Sequence, residues 1–432
     1  MFESICSKMK IWSWQRFSNS LRKYPWVFPI SNGMKKYFFA FFLLIFAVCA
    51  FLVVRYSDLI QGALPAFLEP SERIEELIGK GELPLTLPPG FSVSLFANVS
   101  DARVMVFDEN GDMWISQTSA GTITRLTVEN GAVVAQNIIF NGLNKPHGLA
   151  FDPRNSSILY IAEENRVSRV NVSTKEKTLE EVLVLPHGEG HFTRTIGFGP
   201  DGRLYISIGS SCNVCDETEE WRGTILSLGK SATDLKIFAR GLRNAVFFTW
   251  SYIDGKMWAT EMGRDNLGDD LPPDEINIIE NPSTSSGQNS IPNFGWPICY
   301  GKNIHDTNFD KNVYVRDPCA DKIPSHVDLQ AHSAPLGLAF IPEEGWPEDY
   351  WHNLFVAYHG SWNRSEPTGY KVIRIKLDDK GNYLEMEDFI TGWLTKNGAL
   401  GRPVDILVQT GGIMYVTDDK AGVIYKVTYK LE

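Results

Sequence analysis

The chain has 432 residues, of which 43% are hydrophobic and 22% charged, so it is long enough to bury a substantial apolar core. Its formal net charge is −11, but residues 1–36 carry +6, which leaves −17 on the remainder. Such an acidic remainder argues against nucleic acid and anionic membrane surfaces as its partners.

An uncharged apolar run occupies residues 37–54, between the basic and the acidic parts of the chain. In helical conformation these residues extend for about 27 Å, enough to cross the hydrocarbon core of a bilayer. Two lysines precede the run and only Arg55 follows closely, so we expect residues 1–36 to be cytoplasmic and the rest to be periplasmic or extracellular. A cleaved signal peptide starting at Met34 is the competing interpretation, but no small-x-small cleavage site follows the run.

Residues 55–86 are predicted to form a stalk between the transmembrane anchor and the main domain. Ser71, followed by acidic residues including Glu75, is typical of the start of a short helix. Several prolines and a glycine at positions 84–90 end that helix. We therefore expect the main domain to cover residues 87–432.

Six similar units follow one another along this domain. In one of them a Pro-Asp-Gly turn at residues 200–202 separates two apolar strands, which predicts a β-hairpin. Such short β units cannot bury their own faces and become stable by radial stacking as blades. The predicted fold is all-β, a six-bladed β-propeller preceded by a single N-terminal transmembrane helix. The residues that align the six units are Phe107, Phe151, Phe198, Phe248, Phe340 and Val408.

The loops that enter the innermost strands of a propeller meet at one mouth of its central channel. Four residues before the aligned positions, and beside them, the sequence is rich in Arg and His, although the domain is acidic. Such a ring suits an anion with several carboxylates or phosphates. The competing interpretation is that each arginine pairs with an acidic neighbour in the next blade. The set comprises Arg103, His147, Arg194, Asn244, His191, Arg243, His332 and Arg402.

Two long insertions carry further polar groups. Residues 260–277 contain carboxylates and glycines suited to a hard cation such as calcium, but their spacing is not that of an EF-hand. A solvated acidic loop is therefore an equally good interpretation of this insertion. In residues 358–364, His359 is a candidate ligand group, whereas Trp362 is assigned to packing.

Four of the six cysteines fall in the part of the chain that is predicted to face outward. An oxidising compartment favours the disulfides Cys212–Cys215 and Cys299–Cys319, although the sequence alone does not fix the pairing. A c-type haem is disfavoured because Asp216, not histidine, follows the first pair. A four-cysteine zinc site would need a second close pair. A structural loop link is preferred over a redox or metal role.

Together these features resemble the pyrroloquinoline quinone (PQQ) dependent soluble glucose and sorbosone dehydrogenases, including the fungal pyranose dehydrogenases. The resemblance covers roughly residues 84–430. It rests on segments 87–91, 191–194, 241–244, 263–277, 293–297, 359–364 and 401–405, in this order. The resemblance implies a six-bladed propeller that holds PQQ and calcium at the channel mouth and oxidises a sugar or related alcohol.

The resemblance also implies roles for individual residues. His191 matches the base that takes the hydroxyl proton of the substrate, and Arg243 with Asn244 matches the pair that contacts the quinone. Gly263 and Arg264 match the residues whose backbone carbonyls bind calcium. Calcium polarises the quinone carbonyl as a Lewis acid, while hydride leaves the substrate carbon and the base removes the proton.

Other residues are expected to hold the acid groups of the cofactor. Arg402 and His359 match positions with this role, and Arg103 and Arg194 complete the cationic ring. PQQ is a tricarboxylate, which is consistent with a ring of cations in an acidic domain.

Two other functions compete with this interpretation. A calcium-dependent propeller lactonase would place Glu, Asn and Asp around an axial metal, whereas the axial positions here are rich in Arg and His. A non-catalytic binding propeller is the second alternative, because the fold alone does not fix the function. As the sequence shows no haem motif or second redox domain, a dehydrogenase of this kind would need a separate electron acceptor.

Overall fold

The computed structural model of the chain divides into two compact units, residues 1–57 and 58–432. The predicted basic segment 1–36 lies outside the described residues, as does much of the predicted membrane span. No helix among the described residues is long and apolar enough to cross a membrane. The structure describes residues 37, 41, 43–48, 51, 55, 57–68, 73–80, 83–229, 234–280 and 291–430.

In the part of the chain described from Ser57 onward, two helices precede the first strand: α1, Ser57–Phe67, and α2, Ile74–Gly79. Ile74 and Leu77 of α2 are three residues apart and are both buried in an apolar cluster with propeller side chains such as Trp393. Packing onto the propeller therefore begins within the segment that was predicted to be a stalk, upstream of residue 87.

Six antiparallel four-stranded sheets are arranged as the blades of a propeller, which confirms the predicted architecture. All six alignment positions lie in the first strand of a blade. Blade 1 contains β2 Ala102–Phe107, β3 Met113–Gln117, β4 Thr122–Glu129 and β5 Ala132–Phe140. Blade 2 contains β6 Leu149–Asp152, β7 Asn155–Ala162, β8 Arg166–Asn171 and β9 Glu180–Val184. Blade 3 contains β10 Ile196–Phe198, β11 Leu204–Ile208, β12 Thr224–Leu228 and β13 Leu235–Arg240.

The remaining blades carry the two insertions. Blade 4 contains β14 Phe248–Trp250, β15 Met257–Glu261, β16 Asp274–Ile279 and β19 Val327–Leu329, with a hairpin of β17 Cys299–Tyr300 and β18 Ile304–His305 inserted. Blade 5 contains β20 Pro335–Phe340, β21 Leu354–Tyr358, β22 Lys371–Leu377 and β23 Tyr383–Ile390, with a short helical turn at Glu348–Tyr350. A hairpin of β24 Leu394–Thr395 and β25 Gly398–Ala399 leads to blade 6.

Blade 6 joins the two ends of the domain. It consists of β26 Pro403–Gln409, β27 Ile413–Asp418, β28 Val423–Tyr429 and the first strand of the domain, β1 Phe91–Asn98. β1 pairs antiparallel with β28, from Phe91 opposite Tyr429 to Asn98 opposite Val423. This pairing closes the ring and covers what would otherwise be an open sheet edge.

The second strand of a blade is sandwiched between neighbouring blades, so both of its faces are buried. Strands β3, β11, β15 and β21 are buried at every position, unlike the alternating pattern of a half-exposed strand. Hydroxyl groups of these second strands also link blades: Ser116 donates to the His147 carbonyl at 2.7 Å and Thr417 donates to the Arg103 carbonyl at 2.8 Å. These contacts fix the inner loops at the mouth relative to one another.

Candidate active site

His191 lies in the loop that enters blade 3, and one side of its ring faces Ser210. Its Nδ1 is 3.0 Å from the Ser210 carbonyl oxygen and 3.1 Å from the Ser210 hydroxyl. A carbonyl can only accept, so Nδ1 carries the proton of the neutral ring and Nε2 has a free lone pair. Nε2 has no hydrogen-bonding partner among the described residues. Burial, together with the charge of Arg243, lowers the pKa of His191 to about 3, so the ring is neutral at pH 7.

Gly209 brings two of the predicted site residues together. A Cβ atom on this glycine would lie 2.5 Å from Oδ1 of Asn244 and 2.7 Å from Cβ of His191. Both side chains therefore occupy the space that any larger residue would fill. The absence of a side chain at position 209 allows His191 and Asn244 to converge beside the channel mouth.

Arg243 is 5% exposed, and protein oxygens surround its guanidinium. Nε donates to the Asn213 carbonyl at 2.8 Å, and Nη1 donates to the carbonyls of Met262 and Gly263 at 3.2 and 3.0 Å. Nη2 donates to Oδ1 of Asn213 at 3.0 Å and to Asp265 at 3.2 Å. Burial lowers the pKa of Arg243, while nearby carboxylates raise it, Asp265 foremost. The guanidinium is thus fixed in place before any ligand binds.

The two residues with predicted calcium-binding carbonyls adjoin this arginine. The carbonyl of Gly263 accepts from Arg243, and the amide of Gly263 donates to Asp274 at 2.9 Å. The side chain of Arg264 pairs with Asp306 at 2.8 Å and turns away from the mouth. Its carbonyl has no partner in the described part of the chain. One of the two predicted ligand oxygens is therefore free and the other is shared with a cation.

Part of the 260–277 insertion is not the solvated loop that the sequence also allowed. Glu261 ends β15, while Asp274 and Glu275 begin β16, and all three side chains are buried. Burial raises the pKa of Asp274 to about 7 and raises that of Glu261 well above its usual range. Glu261 accepts from the amide of Asn244 at 2.9 Å, and its other oxygen has no partner among the described residues. Through these hydrogen bonds, Glu261 and Asp274 stabilise the backbone of Asn244 and Gly263.

A second cluster of charges lies where blades 5, 6 and 1 meet. Asp419 accepts from Nη1 of Arg103 at 2.8 Å and from Nε2 of His359 at 2.9 and 3.1 Å. Arg402 donates to the carbonyls of His359 and Gly360 at 2.9 and 2.6 Å. Of the predicted residues, Arg103, His359 and Arg402 are therefore brought together, and Asp419 joins them.

Ionisation in this cluster is well defined at neutral pH. Burial and the charge of Arg402 lower the pKa of His359 to about 4. Burial alone would raise the pKa of Asp419, but His359, Arg103 and Arg402 together lower it below its usual range. Asp419 is thus an anion that accepts from a neutral histidine, and the two arginines leave the cluster with a net positive charge.

Arg194 supports the His191 loop from beneath. Its side chain is fully buried and donates to the backbone carbonyls of His191, Thr193 and Pro186, each at 2.8 Å. Burial lowers its pKa to about 9. The structure therefore places this predicted cofactor contact behind the loop, where it orients His191.

Two other histidines of the predicted ring are also buried. His147 packs its ring edge-on against Phe247, and burial lowers its pKa well below the usual range. His332 lies 2.8 and 3.1 Å, through Nε2, from the carbonyls of Gly268 and Leu271. Both side chains are therefore buried against neighbouring protein groups.

Sequence reasoning missed Ser210 and Asp419. Apart from the two long insertions, it considered only loops that enter the first strand of a blade, whereas these residues follow the second strands, β11 and β27. Because the strands of a blade are antiparallel, the loop that leaves the second strand lies at the same mouth. The signal was present in His359, which follows β21 in the same way.

Both predicted disulfides, Cys212–Cys215 and Cys299–Cys319, are confirmed. Glu217 lies close to the first pair, but the two sulfur atoms are bonded to each other, so this trio is not a metal site.

A six-bladed propeller with a neutral histidine and a cationic cluster at one channel mouth has the features of an enzyme that binds an organic anion and moves a proton. Comparison with known proteins defines the class more closely. The chain belongs to the TrAA12-like family, whose model matches residues 85–430. The family resemblance inferred from the sequence is thereby confirmed.

The relatives include both uncharacterised and characterised proteins. An uncharacterised protein of Borreliella burgdorferi is 32% identical over 369 residues, which cover 80% of this chain and 91% of that protein. The PQQ-dependent pyranose dehydrogenase of Coprinopsis cinerea is 23% identical over 330 residues, or 66% of this chain. The match spans only 44% of that longer protein.

Solved structures show the same fold. A Trichoderma reesei carbohydrate-active enzyme of family AA12 superposes with a TM-score of 0.70 at 20% identity, covering 80% of this chain and 98% of that one. The PQQ domain of Coprinopsis cinerea pyranose dehydrogenase, in its holo form, gives a TM-score of 0.66 at 19% identity, with 80% and 97% covered.

Proposed function

We propose that the propeller is a PQQ-dependent dehydrogenase that oxidises a sugar or a related alcohol, with His191 as general base. The observation that carries the proposal is the unprotonated Nε2 of His191, which has no partner among the described residues, in a side chain that converges with Asn244 at Gly209. A neutral imidazole in this state is suited to accepting a hydroxyl proton near pH 7. The named activity of the Coprinopsis cinerea relatives supports the choice of cofactor and substrate class.

The donors at the mouth fit a cofactor with several carboxylates. Nη2 of Arg103 and Nη1 of Arg402 have no hydrogen-bonding partner among the described residues, although Arg103 is anchored through Nη1 and Arg402 through Nε and Nη2. Guanidinium groups bind carboxylates through paired, charge-assisted hydrogen bonds. These two residues would hold PQQ at its acid groups, and Arg243 with Asn244 would face its quinone end. When bound, PQQ supplies the hydride acceptor.

The residues of the chain divide the work of the reaction. His191 accepts the hydroxyl proton at Nε2, while the Ser210 carbonyl holds Nδ1–H and so keeps the ring in the required tautomer. The anchored guanidinium of Arg243 supplies positive charge where negative charge develops on the acceptor. Reoxidation of a reduced cofactor would need a separate electron acceptor.

Calcium is the second proposed component, bound through the carbonyls of Gly263 and Arg264. The carbonyl of Gly263 is 3.0 Å from Nη1 of Arg243, so an ion bound there would share this oxygen with the arginine or displace its hydrogen bond. A carbonyl site beside the buried Asp274 has the oxygen chemistry that calcium prefers. We expect calcium to change how tightly PQQ binds.

The proposed location is membrane-anchored, with residues 37–54 as the span, residues 1–36 in the cytoplasm and the propeller outside. The uncharged run preceded by basic residues supports this orientation. The two disulfides support an oxidising compartment. Protease added to intact cells should digest the propeller, and a propeller that stays protected until lysis would overturn this orientation.

Cofactor titration of the purified protein tests the function. Addition of PQQ with calcium should change the PQQ absorbance and raise the melting temperature, and a subsequent sugar should bleach the quinone spectrum. Titration with calcium alone separates the metal contribution. A protein that ignores PQQ but hydrolyses lactones in the presence of calcium would contradict the proposal in favour of a propeller lactonase.

A further inference from the structure

The Cys212–Cys215 disulfide closes a short loop that begins where β11 leaves blade 3. A second closure surrounds the first, because Glu217 accepts from the amide and the hydroxyl of Ser211 at 2.6 and 2.7 Å. The loop is therefore closed covalently and by hydrogen bonds. Its short length leaves the residues within it little conformational freedom.

One end of this loop faces His191. The Ser210 hydroxyl donates to the Cys212 carbonyl at 2.6 Å, so it presents a lone pair to Nδ1 of His191. The Ser210 carbonyl accepts from the backbone amide of His191 at 2.9 Å as well as from the ring. The disulfide-bonded residue Cys212 thus orients the Ser210 hydroxyl, which accepts from Nδ1–H of His191 beside the Ser210 carbonyl.

The middle of the loop holds Arg243. Asn213 accepts from Nε through its carbonyl at 2.8 Å and from Nη2 through Oδ1 at 3.0 Å. The same Oδ1 accepts from the amide of Asp265 at 2.8 Å, and Nδ2 donates to the Asp265 carbonyl at 3.2 Å. Asn213 therefore links blade 3, Arg243 and the blade 4 insertion in a single network.

We propose that Asn213 is a positioning residue for Arg243, and that the Cys212–Cys215 disulfide holds Asn213 and Ser210 where Arg243 and His191 both need them. This inference rests on the proposed function. We call this loop, residues 210–217, the clip, because it contacts both the proposed base, His191, and the guanidinium of Arg243 that would face the cofactor. Opening the clip leaves both side chains present but no longer aligned with each other.

Paired disulfide variants test the clip. In Cys212→Ser/Cys215→Ser, sugar should reduce bound PQQ about 10-fold to 100-fold more slowly, with little change in the KM for sugar, because misalignment affects the chemical step. The matched control is Cys299→Ser/Cys319→Ser, which opens the disulfide of the blade 4 insertion. We expect the control to lower the melting temperature and to keep the reduction rate. Equal slowing in both variants would overturn the proposal.

Asparagine variants test the positioning role directly. Asn213→Ala should slow the reduction, and Asn213→Asp, which keeps an acceptor oxygen for Arg243, should restore most of the rate. The control is Asn353→Ala, since Asn353 also accepts from an arginine, Arg374, at 3.3 Å, but lies before β21 at the end opposite His359. A wild-type rate in Asn213→Ala would overturn the role of this residue.

A measurement without cofactor separates this inference from the proposed function. In ¹⁵N NMR spectra of the apo-protein, wild-type His191 should show the Nδ1–H tautomer, and Cys212→Ser/Cys215→Ser should show a mixture of tautomers. An unchanged tautomer would contradict the clip even if PQQ binds. If wild-type protein fails to use PQQ while the tautomer still depends on the disulfide, the proposed function fails and the structural coupling stands.

Discussion

Two histidines at the same channel mouth are held in opposite ways. His191 is anchored at Nδ1 by a neutral carbonyl, which leaves Nε2 free. His359 is anchored at Nε2 by the carboxylate of Asp419, so the lone pair of this ring is on Nδ1. Burial lowers the pKa of both rings, to about 3 and about 4, so charge does not distinguish them. The identity and position of the partner decide which nitrogen of each ring carries the lone pair.

The arginines around the two histidines also differ in their hydrogen-bonding partners. On the His191 side, backbone carbonyls take most of the hydrogen bonds of Arg194 and Arg243. On the His359 side, Asp419 pairs with Nη1 of Arg103, and Nε and Nη2 of Arg103 and Nη1 of Arg402 have no partner among the described residues. The first arrangement fixes geometry around a proton acceptor, and the second leaves cationic groups available to an anion.

The largest expected effect comes from removing Nε2 of His191, the nitrogen with the free lone pair. His191→Asn keeps a polar side chain but removes the base, so single-turnover reduction of bound PQQ by sugar should slow by about 10²–10⁴-fold. His359→Asn should leave this rate within a few-fold, because its Nε2 is already bound to Asp419. Binding of PQQ to His191→Asn should stay close to wild type. Similar slowing in both variants would remove the distinction between the two histidines.

Substitutions of the arginines on the two sides should also have different effects. Arg402→Ala should weaken PQQ binding by about 1.5–3 kcal/mol, the usual cost of losing a charge-assisted hydrogen bond. Arg194→Ala should instead lower the free energy of unfolding, because three buried carbonyls lose their donor. Titration of PQQ and urea unfolding of both variants measure the two quantities. An unaltered PQQ affinity in Arg402→Ala would contradict a role in binding the acid groups.

The pH dependence of the reduction of PQQ by sugar tests the protonation state of His191. The base must be neutral, and a pKa of about 3 keeps His191 neutral throughout the range from pH 5 to 8. The reduction rate should therefore be flat over this range, whereas a histidine with an ordinary pKa of about 6.5 would lose roughly 30-fold at pH 5. A rate that falls through pH 6.5 would show that the ring titrates normally.

The smallest expected effect concerns ionisation next to the Asp419 cluster. Burial raises the pKa of Asp405 to about 7, so its carboxyl stays protonated in the folded state while it ionises in the unfolded chain above about pH 4. The unfolded state thus binds fewer protons in this window, and the contribution of Asp405 to stability falls as pH rises from about 4 to 7. In Asp405→Asn this contribution disappears.

Urea unfolding at several pH values measures that contribution. The free energy of unfolding of Asp405→Asn relative to wild type should rise between pH 4.5 and 7, by at most about 1.4 kcal/mol per pH unit. The absolute stability of the variant depends on its hydrogen bonds to Met105 and Ile406, so the slope is the diagnostic quantity. Parallel curves would mean that Asp405 is ionised in the folded protein, as Asp419 is.

The repeat pattern predicted the number of blades and the first strand of each one. This succeeded because each apolar strand–turn–strand unit must bury its faces against its neighbours, so that the aligned positions, such as Phe198, lie in the first strand of every blade. The four cysteines of the propeller were paired correctly for a related reason, since the cysteines of each pair are close along the chain.

Residue identity at the mouth was also predictable, but the function of each side chain was not. The sequence placed His191, Arg194 and Arg243 near the axis, yet one holds a free lone pair, one supports a loop and one is fixed by five acceptors. The outcomes for His191 and Arg243 depend on Ser210, Asn213 and Gly263, which follow second strands of blades 3 and 4 and lie far from their partners along the chain.

By itself, then, the sequence determined what depends on periodicity and local chemistry: the strands, the blades, the axial positions and the family resemblance. Only the tertiary structure decided which atoms of those axial residues remain free. The free energy of a buried polar atom depends on its partner, and at this mouth the partners come from other loops and other blades. Asp419 and Ser210, which no local pattern marks, determine the state of the two histidines.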